Sequence, residues 1–254
     1  MNQTQGLGNA SYSTSHKIVI EKKDRLRVAR QLFSLLKDYI DPKEFKSLNL
    51  LDVGCSAGDI TGYFSRYVGK TVGLDVDKQA IKLAKKRYSS LKNLSFMEAS
   101  GTRLPLKDAS FDIMLCNQVY SYTSDPEGLM DEIYRVLKRN GICLFTGDNL
   151  LRPIEPLYNL PFIRLLPKNL TKRFLKLLGY KKIYIGDYKT LWGMKKLLVQ
   201  FEIEDCTIRV LKNPTKYSFA NLIKYEGLIN KIPNWILYLM EPFFPTFIFI
   251  LKKH

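Results

Sequence analysis

The twelve residues from Leu50 to Thr61, LLDVGCSAGDIT, constrain the fold more than any other part of the chain. A short apolar run (Leu48, Leu50, Leu51, Val53) stops at Gly54, small and polar residues follow, and an amphipathic segment opens near Ile60. This pattern predicts a strand, a tight turn and the start of a helix. Glycine at 54 allows the chain to turn with positive φ, and glycine at 58 allows a ligand or the helix to approach the backbone with no Cβ between them. Such a loop is built to hold something.

Charge narrows what it holds. A dinucleotide would place its pyrophosphate on the amides of the helix start, but Asp52 and Asp59 flank this turn and would repel it. A ligand carrying amino and sulfonium groups would be attracted instead. Gly54, Gly58 and Gly62 recur at intervals of four, so the G-x-G-x-x-G nucleotide fingerprint is not met.

After the helix, TVGLDVD predicts a second strand ending at Asp75, where a carboxylate can accept both ribose hydroxyls of an adenosine. LDVGCSAGDIT, GLDVD, MEASGTRLPLKDASFDIMLCNQV and DEIYRVLKRNGICLFTGDN follow in order from roughly Leu48 to Asn149. Together they resemble the class I S-adenosylmethionine-dependent methyltransferases of the ubiquinone/menaquinone-biosynthesis (type 11) kind. The resemblance implies an α/β fold with a Rossmann-like, doubly wound, seven-stranded and mostly parallel sheet whose last strand is antiparallel. An N-terminal helix and a C-terminal helical insertion complete that expectation.

The resemblance also implies S-adenosyl-L-methionine as cofactor and a transferase of methyl groups as the activity. The residues it places around the cofactor are Asp52, Gly54, Cys55, Ser56, Gly58, Asp75, Val76, Ser100, Gly101, Asn117 and Gln118. Two positions depart from the family pattern. Ser56 replaces the usual central glycine, and its Cβ would crowd the methionine part of the cofactor only if the backbone there needs positive φ. Ser100 stands where similar proteins carry an acidic residue against the adenine amine, with Gly101 at an alanine position beside it.

Length and composition agree. A chain of 254 residues can bury a substantial core as one large domain or one with an appendage. The four cysteines, at 55, 116, 143 and 206, are widely spaced and read as buried free thiols of a reducing compartment. The polar N-terminus MNQTQGLGNASYSTS has no apolar h-region, so a cytoplasmic location is expected, with peripheral membrane contact as an addition to it. Of the net charge of +16, the part up to Asn149 carries +5 and the remainder +11. A basic face of that kind can meet nucleic acid, an anionic membrane or an acidic substrate, or simply keep the protein in solution.

Three divisions are expected. Residues 1–47 form an N-terminal arm and a helix (Lys22 to Tyr39) capping the cofactor domain. Residues 48–149 form the Rossmann-like core. Residues 150–254 form a basic lid or substrate region containing the last two strands, at 204–211 and 246–252, and an insertion between them at 212–244. Within the last division, Leu170, Phe174, Leu175, Leu177 and Leu178 oppose Lys168, Lys172, Arg173 and Lys176 on a helix that can lie on an anionic bilayer or pack on the domain as a lid. The insertion is rich in aromatic residues (Tyr217, Phe219, Tyr225, Trp235, Tyr238, Phe243, Phe244), which suits a lipidic or ring-bearing substrate beside it or a small core of its own.

Strand four ends at Asn117, and Gln118 to Tyr122 follow where ligands bind in doubly wound sheets. Tyr120 and Tyr122 either face the acceptor or pack over the sheet edge. Asp148, delivered by strand five, is the carboxylate best placed to take a proton, or else a cap for the next segment. Asp125 and Pro126 start the intervening helix, and Asn140 and Gly141 end it. His16 is a candidate general base only because the sole other histidine is His254; a surface residue of a mobile arm is the favoured reading of it. The tetrapeptide NPPY of enzymes that methylate exocyclic base amines is missing after Cys116. No metal is expected, because only Asp148 and Asp187 offer carboxylates at the rim.

Two functions follow from this reading. One is in-line methyl transfer to a small-molecule or lipid-linked acceptor, where positioning supplies most of the acceleration. The other is an RNA methyltransferase, or a basic membrane- or RNA-binding protein with little methyl transfer; no recognisable RNA-binding module is appended, which ranks nucleic acid below the small-molecule partner.

Overall fold

The computed structural model describes residues 22–181 and 183–253. Tyr12, His16 and most of the N-terminal arm lie outside the described residues. The elements that position the site are helix α1 (Lys22–Leu36), strand β1 (Asn49–Val53), helix α2 (Asp59–Phe64), strand β2 (Lys70–Asp75), helix α3 (Lys78–Arg87), strand β3 (Leu94–Glu98) and strand β4 (Phe111–Asn117). Helix α4 (Pro126–Val136) and the long strand β5 (Leu137–Asp148) complete the cofactor half.

Beyond β5 come a two-stranded ribbon, β6 (Ile154–Glu155) and β7 (Leu160–Pro161), then helix α5 (Lys168–Leu177) and helix α6 (Leu191–Leu197). Strand β8 (Phe201–Asp205) leads into four short helices, α7 (Thr207–Lys212), α8 (Ala220–Ile223), α9 (Glu226–Asn230) and α10 (Asn234–Met240), before strand β9 (Thr246–Lys253).

Among the described residues the main sheet has seven strands in the order β3-β2-β1-β4-β5-β9-β8. β1 pairs in parallel with β2 and β4, and β4 with β5, whereas β9 runs antiparallel to both β5 and β8. This is the doubly wound sheet with an antiparallel last strand expected from the sequence. Helices cover both faces, so strand residues must be apolar in both directions. Leu51 and Val53, Met114 and Cys116, Cys143 and Phe145 pack on the α4 and α6 side. Their neighbours Leu50, Ile113, Leu115 and Leu144 pack on the α1 and α2 side. The division follows the two-residue period of a strand.

Three boundaries differ from expectation. The strand expected at 204–211 lies three residues earlier, and α7 occupies its second half. The Asp205 carboxylate accepts the Thr207 amide at 2.8 Å and opens a helix whose Ile208 and Val210 are buried. Thr207 and Val210, three residues apart, share one buried face of this helix. Helix α4 ends at Val136 instead of at Asn140 and Gly141, because Leu137 already pairs with Phe111 across the sheet. Helix α1 stops at Leu36, with single turns carrying the chain to Ile40.

All four cysteines are buried free thiols. Among the described residues no helix is long and apolar enough to cross a membrane, and no group of three His, Cys, Asp or Glu is placed to hold a metal ion.

Candidate active site

A cavity of about 460 Å³ opens at the C-terminal ends of β1, β2, β4 and β5, the position at which open α/β sheets take their ligands. Its size lies within the ~300–1,000 Å³ usual for small-molecule and cofactor sites.

The β1–α2 turn forms the floor. Gly54 has φ +74°, and its amide and that of Cys55 both donate to the Leu74 carbonyl of β2, at 2.8 and 2.9 Å. A Cβ on Gly54 would stand 2.5 Å from Val119 Cγ2. Ser56 also has positive φ, +52°, and its amide donates to Asp75 Oδ2 at 2.8 Å. The backbone at 56 is therefore in the region where serine is strained and glycine is not.

The predicted turn residues divide into those that face the cavity and those that support it. Gly54 and Ser56 line the cavity, whereas Asp52, Cys55 and Gly58 do not. The Cys55 side chain packs with Ile81, Ala84 and Phe96, and burial pushes its thiol well above the usual range. A Cβ on Gly58 would meet Phe96 Cζ at 2.6 Å and Ala84 Cβ at 3.0 Å, so its bare backbone admits strand and helix side chains, not a ligand. Asp52 is buried and accepts Thr61 Oγ1 at 2.6 Å; burial raises its carboxyl to about 6 against the opposing effect of that hydrogen bond.

The negative charge expected beside the turn is not supplied by the residues expected to supply it. Asp59 is buried in an ion pair with Arg87 at 2.6 Å and accepts the Tyr88 hydroxyl at 2.7 Å, so it presents no free charge to a ligand. The acids that do line the cavity are Asp75, Asp77 and Asp148. Asp77 is spent as the N-cap of α3, accepting the amides of Gln79 and Ala80.

Asp75 ends β2 with one oxygen on the Ser56 amide and the other on the Asp77 amide, at 2.8 and 2.9 Å. Each carboxylate oxygen retains a second acceptor position. Burial raises its pKa, with the two amides opposing. Beside it, Ser56 Oγ is buried without a hydrogen-bond partner among the described residues. Val76, Ser100 and Gly101 line the cavity next to Asp75, and Ser100 Oγ lies 2.8 Å from Thr102 Oγ1. Asn117 and Gln118 line it from the end of β4; Asn117 Oδ1 accepts Thr146 Oγ1 at 2.7 Å, and Gln118 is held at φ +61°.

Tyr120 is not where a substrate-facing residue would be. It is fully buried, its hydroxyl donates to the Asp148 carbonyl and accepts the Lys189 amide, and it does not line the cavity. It pins the 189 segment to the end of β5. The aromatic residues that line the cavity are Tyr122 and Tyr184.

Asp148 lines the cavity, but both of its oxygens are engaged. Oδ1 accepts Arg152 at 2.8 Å and Thr246 Oγ1 at 3.2 Å, and Oδ2 accepts Arg164 at 2.6 Å. Arg164 is buried, also pairs with Glu155 and donates to the Asn149 carbonyl, and stacks on the Tyr188 ring at 3.7 Å. A carboxylate shared between two guanidinium groups fastens the 150–188 segment to the sheet.

Arg25 of α1, Arg152, Pro156 and Leu157 line the cavity without having been expected to. Their approach depends on how separate segments close over the sheet, which no local spacing encodes. The 150–188 segment supplies the outer wall. Among the described residues none between 206 and 245 lines the cavity, so the aromatic insertion supplies no part of its wall. Tyr217 is instead buried against α1, with its hydroxyl donating to Asp38 at 2.6 Å.

Comparison with known proteins agrees with this geometry. The methyltransferase domain family Methyltransf_11 matches residues 51–145. From β1 to β5 the chain is thus similar to the methyltransferase domains of that family. The chain is 31% identical over 131 residues to a demethylmenaquinone methyltransferase of Lactococcus lactis, covering 49% of this chain and 52% of that protein. It is 32% identical over 99 residues to a malonyl-[acyl-carrier protein] O-methyltransferase of a Marinomonas species, covering 38% and 37%. The methyltransferase-domain chain thus spans about half or less of the length of these curated relatives. Among solved structures, PH0226 of Pyrococcus horikoshii superposes with a TM-score of 0.61 at 16% identity, covering 96% of each chain, a likeness of fold.

The cofactor of this family is S-adenosylmethionine, and the residues present fit it. A Cβ-free turn at Gly54, the unpartnered Ser56 Oγ and the two open acceptor positions of Asp75 offer room, a polar contact and a diol-binding carboxylate within one cavity.

Proposed function

We propose that the protein transfers a methyl group from S-adenosylmethionine to a small, largely apolar or lipid-linked acceptor. The observation that carries this reading is the Asp75 carboxylate at the cavity wall, oriented by two backbone amides so that its remaining lone pairs can take a ribose diol. Ser100 and Gly101 then border the base, with Val76 as its apolar contact, while Gly54, Ser56, Asn117 and Gln118 surround the amino-acid end. Arg25 supplies a cation for a carboxylate at that end.

When bound, the cofactor supplies an electrophilic methyl group on a sulfonium. The chain's own contribution is to hold the acceptor in line and to exclude water. Tyr122, Leu157, Pro156 and Tyr184 form an aromatic and apolar wall suited to a ring or an acyl chain. This wall, together with relatives named for a menaquinone precursor and a malonyl carrier protein, favours an apolar acceptor over a nucleic acid. Positioning by Tyr122 and Tyr184 takes the place of base catalysis by Tyr120 or Asp148, whose polar atoms are already engaged.

The test is calorimetric titration of the cofactor into wild type and Asp75→Ala, followed by labelled cofactor incubated with a cell extract and partitioned into lipid, RNA, protein and small-molecule fractions. Label in the lipid or small-molecule fraction, lost in Asp75→Ala, supports the reading. Label confined to RNA or protein, or no measurable affinity for the cofactor, overturns it.

A further inference from the structure

Helix α5 exposes the face that the sequence would have it bury. Only Thr171 and Leu175 of this helix are buried. With about 100° between successive residues, Leu170, Phe174, Leu177 and Leu178 fall in one arc beside that buried stripe, and Lys168, Lys172, Arg173 and Lys176 fill the other side. All four apolar side chains of the arc are exposed, Leu177 to 84%, and the preceding Phe162, Leu165 and Leu166 are exposed with them. From Pro156 to Gly186 the chain has seven lysines and arginines and no acidic residue.

The fold directs this surface to the mouth of the cavity. Leu175 packs on Tyr158 and Ile163, and Leu157 of the same cluster lines the cavity. The segment leaves the sheet at the C-terminal end of β5. There Asp148 pairs with Thr246 at the start of the antiparallel β9, so the residues entering β9 arrive at the same rim. Asn149 ties the two together, its side-chain amide donating to the carbonyls of Pro242 and Phe244 while its own carbonyl accepts Arg164. The segment entering β9 carries a second exposed set, Trp235 at 68% with Tyr238, Leu239 and Phe243. Tryptophan and tyrosine favour the level of lipid headgroups.

We propose that α5 and the aromatic segment before β9 form a docking surface for an anionic lipid bilayer, which holds the cavity mouth against the membrane. An exposed leucine and phenylalanine arc bordered by lysines, with no acid between Pro156 and Gly186 to oppose it, is complementary to a negatively charged headgroup layer. A protein partner or RNA would not need the apolar arc and the cationic border on one helix. The surface stands apart from the proposed reaction, since it requires neither cofactor nor acceptor.

The test is co-sedimentation of the full chain with phosphatidylcholine vesicles, with and without phosphatidylglycerol, for wild type, Leu170→Glu/Leu177→Glu and Lys172→Glu/Arg173→Glu. Because these side chains are exposed, circular dichroism and thermal unfolding should be unchanged in the variants. Binding to the anionic vesicles about tenfold or more tighter than to neutral ones, weakened by salt and by about tenfold in each variant, is the expected result. A blue shift of tryptophan emission on the anionic vesicles should accompany it. Equal binding to both vesicles, no binding, or binding only to an oligoribonucleotide overturns the proposal. So does a solution dimer that Leu170→Glu/Leu177→Glu dissociates in the absence of vesicle binding. Asp75→Ala separates this proposal from the reaction: it should lose the cofactor and still bind vesicles.

Discussion

The amide of Ser56 donates to the carboxylate of Asp75 across 2.8 Å, tying a residue at positive φ in the first turn to the acid that ends the second strand. The turn and the carboxylate are thus one unit. Asp75→Ala should remove the proposed ribose acceptor and leave the buried Ser56 amide unpaired. Hydrogen bonds to a charged group contribute roughly 1.5–3 kcal/mol each, so cofactor affinity should fall at least about tenfold by calorimetry, with a smaller loss of stability. Wild-type affinity in Asp75→Ala would refute the proposed role.

Ser56→Gly tests the strain separately. Serine at φ +52° costs about 1 kcal/mol that glycine avoids, offset in part by glycine's greater freedom in the unfolded chain. The variant should be as stable as wild type or more stable by up to about 1 kcal/mol in urea unfolding, while its cofactor affinity should fall several-fold with loss of the Ser56 Oγ contact, a hydrogen bond of about 0.5–1.5 kcal/mol. A marked destabilisation would mean that Ser56 Oγ has a structural partner.

Gly54→Ala should do the opposite. Its new Cβ would be strained at φ +74° and would meet Val119 Cγ2 at 2.5 Å. Over-packing of this kind costs about 1–3 kcal/mol, and it narrows the floor of the cavity. Adding Val119→Ala should recover part of the affinity by restoring room and little of the strain, because the backbone angle is unchanged. Equal recovery of both in the double variant would show that the clash, not the φ angle, sets the cost.

The mostly parallel sheet with its antiparallel last strand followed from the resemblance to a known family, whereas the end of β4 at Asn117 was legible in the residues themselves. The turn was legible because its glycines and acids are contiguous. What local pattern could not supply was direction. Asp52, Cys55 and Gly58 stand next to Gly54 and Ser56 in the sequence, yet Asp52 is engaged by Thr61, Cys55 packs with Ile81, Ala84 and Phe96, and the bare Gly58 backbone admits Phe96, contacts set by helices and a strand further along the chain. Asp148 was placed at the rim, but its engagement with Arg164 depends on a residue sixteen positions away on a separate segment. The α7 region misled for another reason: Thr207 to Lys212 alternates in polarity as a strand would, yet it forms a helix at whose start Asp205 Oδ1 accepts the Thr207 amide.

Arg164 is the point at which the 150–188 segment is secured. Burial opposes its charge, but the carboxylates of Glu155 and Asp148 outweigh burial and hold its pKa above the ordinary value. Arg164→Met would leave the almost fully buried Glu155 without its cation and Asp148 with Arg152 alone, and breaking such a buried pair costs about 3–5 kcal/mol. Lysine should not restore it, because a single ammonium cannot reach both carboxylates and stack on Tyr188. Urea unfolding should report the loss. Limited proteolysis should show earlier cleavage between residues 150 and 188 than elsewhere, and uniform cleavage would mean that the segment is held by its apolar contacts instead.

Glu241 and Asp205 form a second buried acidic relationship with a different pH signature. Asp205 Oδ2 is buried with no hydrogen-bond partner among the described residues, and two ionised carboxylates cannot supply one to each other. Burial first, and then the hydrogen bond and charge of Asp205, raise the Glu241 carboxyl from 4.5 to about 7. A raised folded-state pKa means that the folded protein binds the proton more tightly than the unfolded chain. The stabilisation is therefore complete below about 4.5 and is lost as pH rises through about 7. Each tenfold gain in proton affinity on folding corresponds to about 1.4 kcal/mol, so with partial exposure allowed for, stability should fall by about 2 kcal/mol over that window from this pair. Glu241→Gln places a permanent N–H donor opposite Asp205 without needing a proton. It should flatten the pH dependence and be more stable than wild type at about pH 8, above the raised pKa, as measured by thermal unfolding across pH. An unchanged slope in this variant would assign the titration to another buried acid, with Asp52, raised to about 6, the next to test by Asp52→Asn.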